Sequence, residues 1–342
     1  MSNRDQASPG ETVLAIETSC DETAVAILRG SAILASEVAS QIAIHAPFGG
    51  VVPEVASRNH LRMLKPVLQR ALATAKIKLE AVNVFAATNG PGLATSLMIG
   101  TSAAKGLAVA TGKPFLAINH LEGHLLSPFF ATEKGVRPSV GLVVSGGHTL
   151  LVDVQGAGRY RLLGQTHDDA AGEAFDKVGK LLGLPYPGGP NVNHLALGGD
   201  PAAHPFPRSM IDSGDFAFSF SGLKTSMRYL IPKLDTLHLP DLCASFQEAV
   251  VDVLVDKTVR AALTTRRKIV AVSGGVSCNS RLREKLAAVC GARGLELLLA
   301  EPSLCTDNAG MIGYVASLKL AAGRASELTE DIDPNLRLDA QS

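Results

Sequence analysis

Runs of apolar residues separated by short polar turns recur along the chain. The stretch VLAIETSCDETAVAIL (13–28) predicts two strands around a polar turn, and VGLVVSGGHTLLVDV (140–154) repeats that pattern. A third stretch, KIVAVSGGVSCNSRLREKL (268–286), predicts a strand, a glycine turn and a helix. The first two stretches indicate hairpins at equivalent places in two similar lobes.

Further strands and helices alternate between these stretches, which indicates α/β layers. The predicted strands are 81–88 and 114–118, and the predicted helices are 56–75, 94–112, 168–183, 242–263 and 305–323. We expect the last helix to be capped by Thr306 or Asp307. The stretch LPYPGGPNVN (184–193) is rich in Pro and Gly and predicts an irregular loop.

These elements predict two lobes with a nucleotide cleft between them. The predicted organisation is a disordered extension (1–11), an N-terminal lobe (12–138) completed by the helix 308–323, a C-terminal lobe (139–307) and a tail (324–342).

Composition narrows the function classes. Of the 342 residues, 46% are hydrophobic, the formal net charge is zero and Trp is absent, so binding of nucleic acid by bulk charge or base stacking is disfavoured. The five cysteines form no C-x-x-C pair, which indicates a reduced, cytoplasmic protein. We expect no signal peptide and no membrane span, because the start is polar and no long apolar stretch exists.

The stretch NHLEGHLLSP (119–128) places two histidines on one helix face. His120 and His124 are four residues apart, so both imidazoles can reach one ion, although they can equally be ordinary core or surface histidines. Glu122 lies about 200° around the helix from either histidine, unlike the general base of an H-E-x-x-H protease. We expect it to form a capping box with Asn119.

The two hairpin turns carry small and polar residues whose backbone N–H groups and hydroxyls suit anion binding. They are Thr18, Ser19 and Thr23 in the first turn, and Ser145, Gly146, Gly147 and Thr149 in the second. Cys20 is interpreted as a small packed residue rather than a nucleophile.

Seven ordered motifs together resemble the TsaD family of tRNA adenosine threonylcarbamoyltransferases. They are AIETSCDETAVAI, NHLEGHLL, VVSGGHTLL, GEAFDKVGKLLGLPYPGGP, FSFSGLKT, AVSGGVSCNSRLR and CTDNAGMIG. The resemblance covers the chain from about Thr12 to the last helix. It implies a two-lobed α/β fold of the actin/Hsp70/sugar-kinase (ASKHA) type.

The resemblance also implies a reaction. A threonylcarbamoyl group passes from threonylcarbamoyl-AMP to the exocyclic amine of the adenosine 3′ of the anticodon, in tRNAs that read codons beginning with A, and AMP is released. The implied cofactor is one divalent metal ion, with Fe(II) favoured over Zn(II). The implied partners are tRNA, an inactive paralogue and a small ATPase.

The matching positions supply the expected site residues. The resemblance assigns His120, His124 and Asp307 as metal ligands. It assigns donor binding to Val143, Val144, Ser145, Gly146, Gly147, Asp176, Gly189 and Asn279. Asn193, Ser19, Glu17 and Lys224 are further candidates near the site. Glu17, Ser19, Asp21 and Glu22 are interpreted as positioning groups or as handlers of the amine proton.

Simpler structural roles remain open for several of these residues. Asp307 and Asn279 can be helix caps, Asp176 can pair with Lys180, and Lys224 can be a solvated charge. Two other functions suit the same fold: a phosphotransferase of the sugar-kinase type and an ATP-dependent binding module. Neither needs a metal site built from imidazoles, because Mg²⁺ prefers oxygen ligands.

Overall fold

The computed structural model describes residues 10–130 and 132–338. The chain divides into two compact units: unit 1 comprises Met1–Val136 and Thr306–Ser342, and unit 2 comprises Arg137–Cys305. Of the predicted N-terminal extension, residues 1–9 lie outside the described residues.

Unit 1 is built on a five-stranded mixed sheet. Its strands are β1 (Thr12–Glu17), β2 (Glu22–Arg29), β3 (Ala32–Ser40), β4 (Val84–Gly90) and β5 (Phe115–Asn119), in the spatial order β3-β2-β1-β4-β5. Its helices are α1 (Ile42–His45), α2 (Pro53–Ala75), α3 (Ala94–Thr111), α4 (His120–Leu126) and α11 (Ala309–Ala321). Strands β1–β3 pair antiparallel, and β4 and β5 extend the sheet in parallel from β1.

Unit 2 contains a second sheet of the same design. Its strands are β6 (Ser139–Val144), β7 (Thr149–Gly156), β8 (Arg159–Gln165), β9 (Ile269–Ser273) and β10 (Glu296–Leu299), in the order β10-β9-β6-β7-β8. Its helices are α5 (Ala171–Leu181), α6 (Gly188–Ala196), α7 (Ser221–Leu230), α8 (Leu239–Thr264), α9 (Ser280–Ala292) and α10 (Pro302–Cys305). Again three strands are antiparallel and two are added in parallel.

The two predicted hairpins and the strand–turn–helix unit are confirmed, and the mixed α/β class with them. Strand β1 is buried at all six positions and β6 likewise, because each lies in the middle of its sheet. Central strands read as continuous apolar runs for this reason. The long helix α8 is buried along most of its length, as its sequence predicts.

Two local predictions are wrong. Residues 188–193 are not a loop but the first part of α6, which begins after Pro187. Proline is tolerated in a first helical turn, where N–H groups lack intrahelical partners, so Pro190 does not prevent the helix. The last helix is capped neither by Thr306 nor by Asp307, because the side chain of Asn308 accepts from the Met311 N–H.

The polar segment after α11 contacts the edge strand β5 of unit 1. Ser326 forms a bridge with Phe115, and its hydroxyl accepts from the Ala117 N–H at 3.0 Å. Within the described residues, no helix has the length and apolar character needed to cross a membrane.

Candidate functional site

Helix α4 begins where β5 ends, and Asn119 sets its start. The Asn119 Oδ1 accepts hydrogen bonds from the backbone N–H groups of Leu121 and Glu122, at 2.8 and 3.2 Å. The predicted N-cap at Asn119 is therefore confirmed, while the reciprocal contact of a capping box, from the Glu122 side chain to the Asn119 N–H, stays a prediction. The N-cap fixes the first turn of a seven-residue helix that is buried at every position.

His120, His124 and Asp307 lie together in unit 1. The Oδ1 atom of Asp307 is 3.0 Å from His124 Nε2 and 3.5 Å from His120 Nε2. One potential ligand atom from each residue lies within 4.8 Å of the others, and both histidines are buried. Two imidazoles and one carboxylate are a donor set that suits Fe(II) or Zn(II).

Glu122 contacts α11, the helix that follows Asp307. Its Oε2 atom lies 3.3 Å from Lys319 Nζ, near the end of α11. Gly123 allows this close packing, since an added Cβ would lie 3.0 Å from Ile312 Cδ1 and 3.1 Å from Met311 Cγ. These contacts hold α4 against α11 and support a structural role for Glu122.

Glu17, the last residue of β1, supports His120 from the side opposite to Asp307. Its Oε2 atom is 3.0 Å from His120 Nδ1 and accepts from the Thr88 hydroxyl at 2.6 Å. Its Oε1 atom accepts from the Ser19 N–H, and the Ser19 hydroxyl is 3.2 Å from His120 Nδ1. Sequence reasoning missed Thr88, which lies at an ordinary position in β4.

The electrostatics of this group are dominated by carboxylates around one imidazole. Burial alone would lower the pKa of His120, but the negative charges of Asp307 and Glu17 outweigh it and raise that pKa to about 9. Burial would raise the pKa of Glu17, and the opposing interaction with His120 brings it below its usual range. Glu17 and His120 thus each favour the charged form of the other.

Glu22 and Cys20, near the end of the first turn, are held in their protonated forms. Burial, and then Asp21, raises the pKa of Glu22 to about 9. Burial likewise raises the pKa of the Cys20 thiol far above neutrality, so the thiolate is scarce. This agrees with the interpretation of Cys20 as a packed residue.

The second turn, in unit 2, follows the buried residues Val143 and Val144. Ser145 closes it, because its N–H donates to the His148 carbonyl at 2.8 Å and its hydroxyl accepts from the His148 N–H at 3.1 Å. Gly146 and Gly147 are exposed, and a Cβ added at either would meet nothing within 4 Å. The turn therefore presents open backbone.

Asp176 on α5 fixes the start of α6. Its Oδ1 atom accepts from the Gly188 and Gly189 N–H groups at 2.8 and 3.3 Å, so it satisfies two donors at that helix N-terminus. Gly188 packs closely on α5, where an added Cβ would lie 2.8 Å from the Asp176 Cα. Asp176 and Gly189 are therefore brought together, as separate members of one α5–α6 contact.

Asn279 and Asn193 meet at the start of α9. The Asn279 side chain accepts from the Leu282 N–H at 3.0 Å and donates to Gln247 at 2.6 Å, so its capping role is present. Asn193 Oδ1 accepts from the N–H and the hydroxyl of Ser280. Gln247, inside α8, is a second residue that sequence reasoning missed.

Lys224 lies on α7, partly exposed. The segment before it is held by Asp168, which accepts from the Ser219 and Ser221 hydroxyls at 2.6 and 2.7 Å. The motif FSFSGLKT is thus anchored at its serines, and Lys224 follows one turn into the helix.

Comparison with known proteins assigns the family. Residues 32–314 match the model of the family TsaD, tRNA N6-adenosine threonylcarbamoyltransferase. The chain belongs to this family. The proteins of that name from Geobacter metallireducens and Geobacter sulfurreducens are each 51% identical to it, over 96% of this chain and 97% of theirs. The family predicted from the motifs is therefore confirmed, and it favours the transferase over the phosphotransferase and the binding module.

Solved structures of distant sequence show the same fold. HypF from T. kodakarensis aligns over 93% of this chain and 49% of its own, with a TM-score of 0.64 and 14% identity. Component A of (R)-2-hydroxyglutaryl-CoA dehydratase from Acidaminococcus fermentans aligns over 91% and 99%, with a TM-score of 0.56 and 16% identity. The expected ASKHA-type fold is confirmed by these likenesses, which say nothing about activity.

Proposed function

We propose that the chain transfers the threonylcarbamoyl group of threonylcarbamoyl-AMP to N6 of the adenosine 3′ of the anticodon, in tRNAs that read codons beginning with A. The amine nitrogen forms a bond to the carbamoyl carbon, the bond from that carbon to the phosphate oxygen breaks, and AMP leaves as the amine loses a proton. The observation that carries the proposal is the convergence of His120, His124 and Asp307 in a member of this transferase family.

The three converging residues are proposed to hold one divalent ion, Fe(II) in preference to Zn(II). Their donor atoms fit such an ion, because two neutral imidazoles and one carboxylate form the set found at non-haem iron sites. Asp307 Oδ1 lies 3.0 Å from His124 Nε2 and 3.5 Å from His120 Nε2, so the three residues are close enough to share one ion. When bound, the ion supplies Lewis acidity toward a carbonyl oxygen of the donor.

The turn after β6 is proposed to bind the donor through its backbone. Val143 and Val144 place the turn rigidly at the end of a central strand, while Gly146 and Gly147 leave space for a phosphate or carbamoyl group to approach. Backbone N–H groups in such a turn suit an anion.

Asp176, Gly189, Asn193 and Asn279 are proposed to bind the nucleoside part of the donor. Their supporting observation is that Asp176 holds the N-terminus of α6 and that Asn193 and Ser280 tie α6 to α9. The side chains of Asp176, Asn193 and Asn279 each have a structural partner, and Gly189 offers its backbone, so we expect these residues to bind the nucleoside with little rearrangement. Lys224 is proposed to contact tRNA or donor phosphate as a positive charge.

The partner is proposed to be an inactive paralogue that binds unit 1, with a small ATPase of the same pathway acting on the complex. Helices α2 and α3 expose large apolar side chains: Leu61 is 73% exposed, Val109 66% and Met98 54%. We expect sedimentation of the chain with its paralogue to show a complex at micromolar concentration. Two separate species would overturn this assignment.

Reconstitution tests the proposed reaction directly. The chain is combined with threonylcarbamoyl-AMP, an unmodified tRNA and the candidate partners, and the nucleosides are read by mass spectrometry. We expect threonylcarbamoyladenosine and an equal amount of AMP. A tRNA whose codon partner begins with another base is the control substrate. Formation of AMP without the modified nucleoside would show hydrolysis instead of transfer.

A further inference from the structure

We infer that Glu17 is a positioning residue for the metal site, acting through the imidazole of His120. The inference rests on the proposed metal site, and it assigns Glu17 neither to the ion nor to the substrate. Its role is to decide which ring nitrogen of His120 carries the proton and which is free to bind.

The carboxylate of Glu17 is held from three sides. It is fully buried, and it accepts from the Ser19 N–H through Oε1 and from the Thr88 hydroxyl through Oε2. These donors come from the β1–β2 turn and from β4, so the carboxylate cannot turn away from the imidazole. Its Oε2 atom also lies 3.0 Å from His120 Nδ1, a nitrogen that the Ser19 hydroxyl approaches to 3.2 Å.

This arrangement selects one tautomer of neutral His120. An ionised carboxylate only accepts hydrogen bonds, so the proton must lie on Nδ1. The lone pair then lies on Nε2, the atom that faces Asp307 Oδ1. A carboxylate behind a ligating histidine fixes ring orientation and ligand basicity in this way.

His124 shows what the ring lacks without such a partner. Its Nε2 atom also faces Asp307, at 3.0 Å, but its buried Nδ1 atom has no hydrogen-bond partner among the residues that the structure describes. The ring is oriented by its contact with Asp307 and by the packing of a fully buried side chain. Of the two histidines, His120 is therefore the one whose tautomer is set by a hydrogen bond at Nδ1, and Glu17 provides the acceptor.

A role for Glu17 in taking the amine proton is disfavoured by the same contacts. The side chain has no exposed surface, and both its oxygens already accept hydrogen bonds inside unit 1. A substrate amine cannot reach it without displacing Ser19 or His120.

The substitution Glu17→Gln tests the inference because it is nearly isosteric and replaces one acceptor oxygen by a donor NH₂ group. The Ser19 N–H is an obligatory donor, so the amide oxygen must face it and the amide NH₂ must face His120 Nδ1. A donor at that place favours the tautomer with the proton on Nε2. That nitrogen then has no lone pair with which to bind a metal. We expect metal affinity to fall about 10- to 100-fold, the range typical of such outer contacts.

The measurement is competition of the purified full-length protein for Zn(II) or Co(II) against a chromophoric chelator, together with the absorption spectrum of the cobalt-loaded protein. Thr88→Val is the matched control, since it removes another hydrogen bond of Glu17 and leaves the His120 contact. We expect it to lose less affinity than Glu17→Gln and to keep the wild-type spectrum, because the Ser19 N–H still orients the carboxylate. Glu17→Asp keeps an acceptor and should retain more affinity than Glu17→Gln, even if Glu17→Gln folds poorly.

The outcomes separate this inference from the metal site itself. Wild-type affinity in Glu17→Gln, with affinity lost in His120→Ala and His124→Ala, overturns the role of Glu17 and leaves the site standing. Unchanged affinity in both histidine variants overturns the site. Equal losses in Thr88→Val, Glu17→Asp and Glu17→Gln reduce Glu17 to a packing role and also overturn the inference.

Discussion

Unit 1 and unit 2 share a sheet order but differ in the turn that follows the first strand. At the end of β1, Glu17 and the nearby Ser19 are buried and their polar atoms contact His120. After β6, Gly146 and Gly147 are exposed and have open space where side chains would be. The turn of unit 1 therefore presents buried polar side chains, whereas the turn of unit 2 presents open backbone at its glycines.

The difference shows how one scaffold supports two kinds of recognition. A central strand buried on both faces fixes the position of the turn in each unit. The residues placed there then decide whether the turn orients an imidazole or offers backbone N–H groups to an anion. Function follows from the residues at the turn and not from the sheet order, which is common to both.

The largest expected effect concerns unit 1. His124→Ala and Asp307→Ala remove proposed ligands, so we expect metal content and transfer activity to be lost together, by more than the roughly 10- to 100-fold of outer-contact changes. Elemental analysis and mass spectrometry of the modified nucleoside measure the two quantities. Glu122→Gln, which keeps a polar partner for Lys319, should preserve both. Abolished activity at unchanged metal content in Glu122→Gln would contradict the structural role of Glu122.

The next effect concerns the open turn of unit 2. Gly146→Val should abolish binding of threonylcarbamoyl-AMP with the fold retained, because the new side chain occupies free space. Titration calorimetry gives the affinity, and circular dichroism checks the fold. Gly172→Ala is the contrasting variant, since its Cβ would lie 2.6 Å from the Ser145 carbonyl oxygen and should lower thermal stability. Undiminished donor affinity in Gly146→Val would show that the turn is only a hairpin.

A smaller effect concerns a charge cluster that is described in unit 2, between α8 and α9. Hydrogen bonds from Arg281 and then from Lys285 lower the pKa of Glu248 from 4.5 to about 2, although burial acts in the opposite direction. A carboxyl group whose pKa is lower in the folded state than in the unfolded state stabilises the fold at pH values above its unfolded-state pKa. That contribution is lost as the pH falls toward the folded-state pKa.

Glu248→Gln should therefore lower the free energy of unfolding at neutral pH by ~1–2 kcal/mol. The difference from the wild type should shrink as pH falls from 4.5 toward 2. Urea unfolding at several pH values measures it. A difference that is constant over that range would show that Glu248 contributes by packing and not by charge.

The smallest effect concerns the helix cap beside Asp307. Asn308→Ala removes the acceptor for the Met311 N–H and should cost ~1 kcal/mol of stability. Asn308→Asp retains an acceptor and should restore most of it. Denaturant unfolding compares the two variants, and equal stability of Asn308→Ala with the wild type would show that α11 is held by its packing alone.

Sequence reasoning succeeded where one physical rule governs the residue. Apolar runs around a polar turn predicted both hairpins, and Asn119 predicted the start of α4, because buried strands and caps have strong local signatures. The family motifs predicted His120, His124 and Asp307 as ligands of one metal ion, and their donor atoms lie close together in the structure. Asp307 itself has no local signal for that contact.

The failures arose where a distant residue overrides the local signal. Pro187 and Pro190 suggested a loop, but Asp176, on a different helix, binds the N–H groups that begin α6. The sequence does not distinguish Asn308 from Thr306 and Asp307 as the cap, because all three residue types can cap a helix. Thr88 and Gln247 matter only through partners more than 30 positions away, which periodicity and propensity do not report.

The division of unit 1 in the chain has a consequence for its synthesis. His120 and His124 emerge from the ribosome before unit 2, whereas Asp307 emerges only after residues 137–305 have been made. At about 5–20 residues per second, translation of that interval takes on the order of ten to thirty seconds. During this time the buried face of α4 lacks α11, against which Gly123 packs. A nascent chain in this state has the two histidines but neither their carboxylate nor the helix that covers them, so unit 1 matures last although its chain begins first.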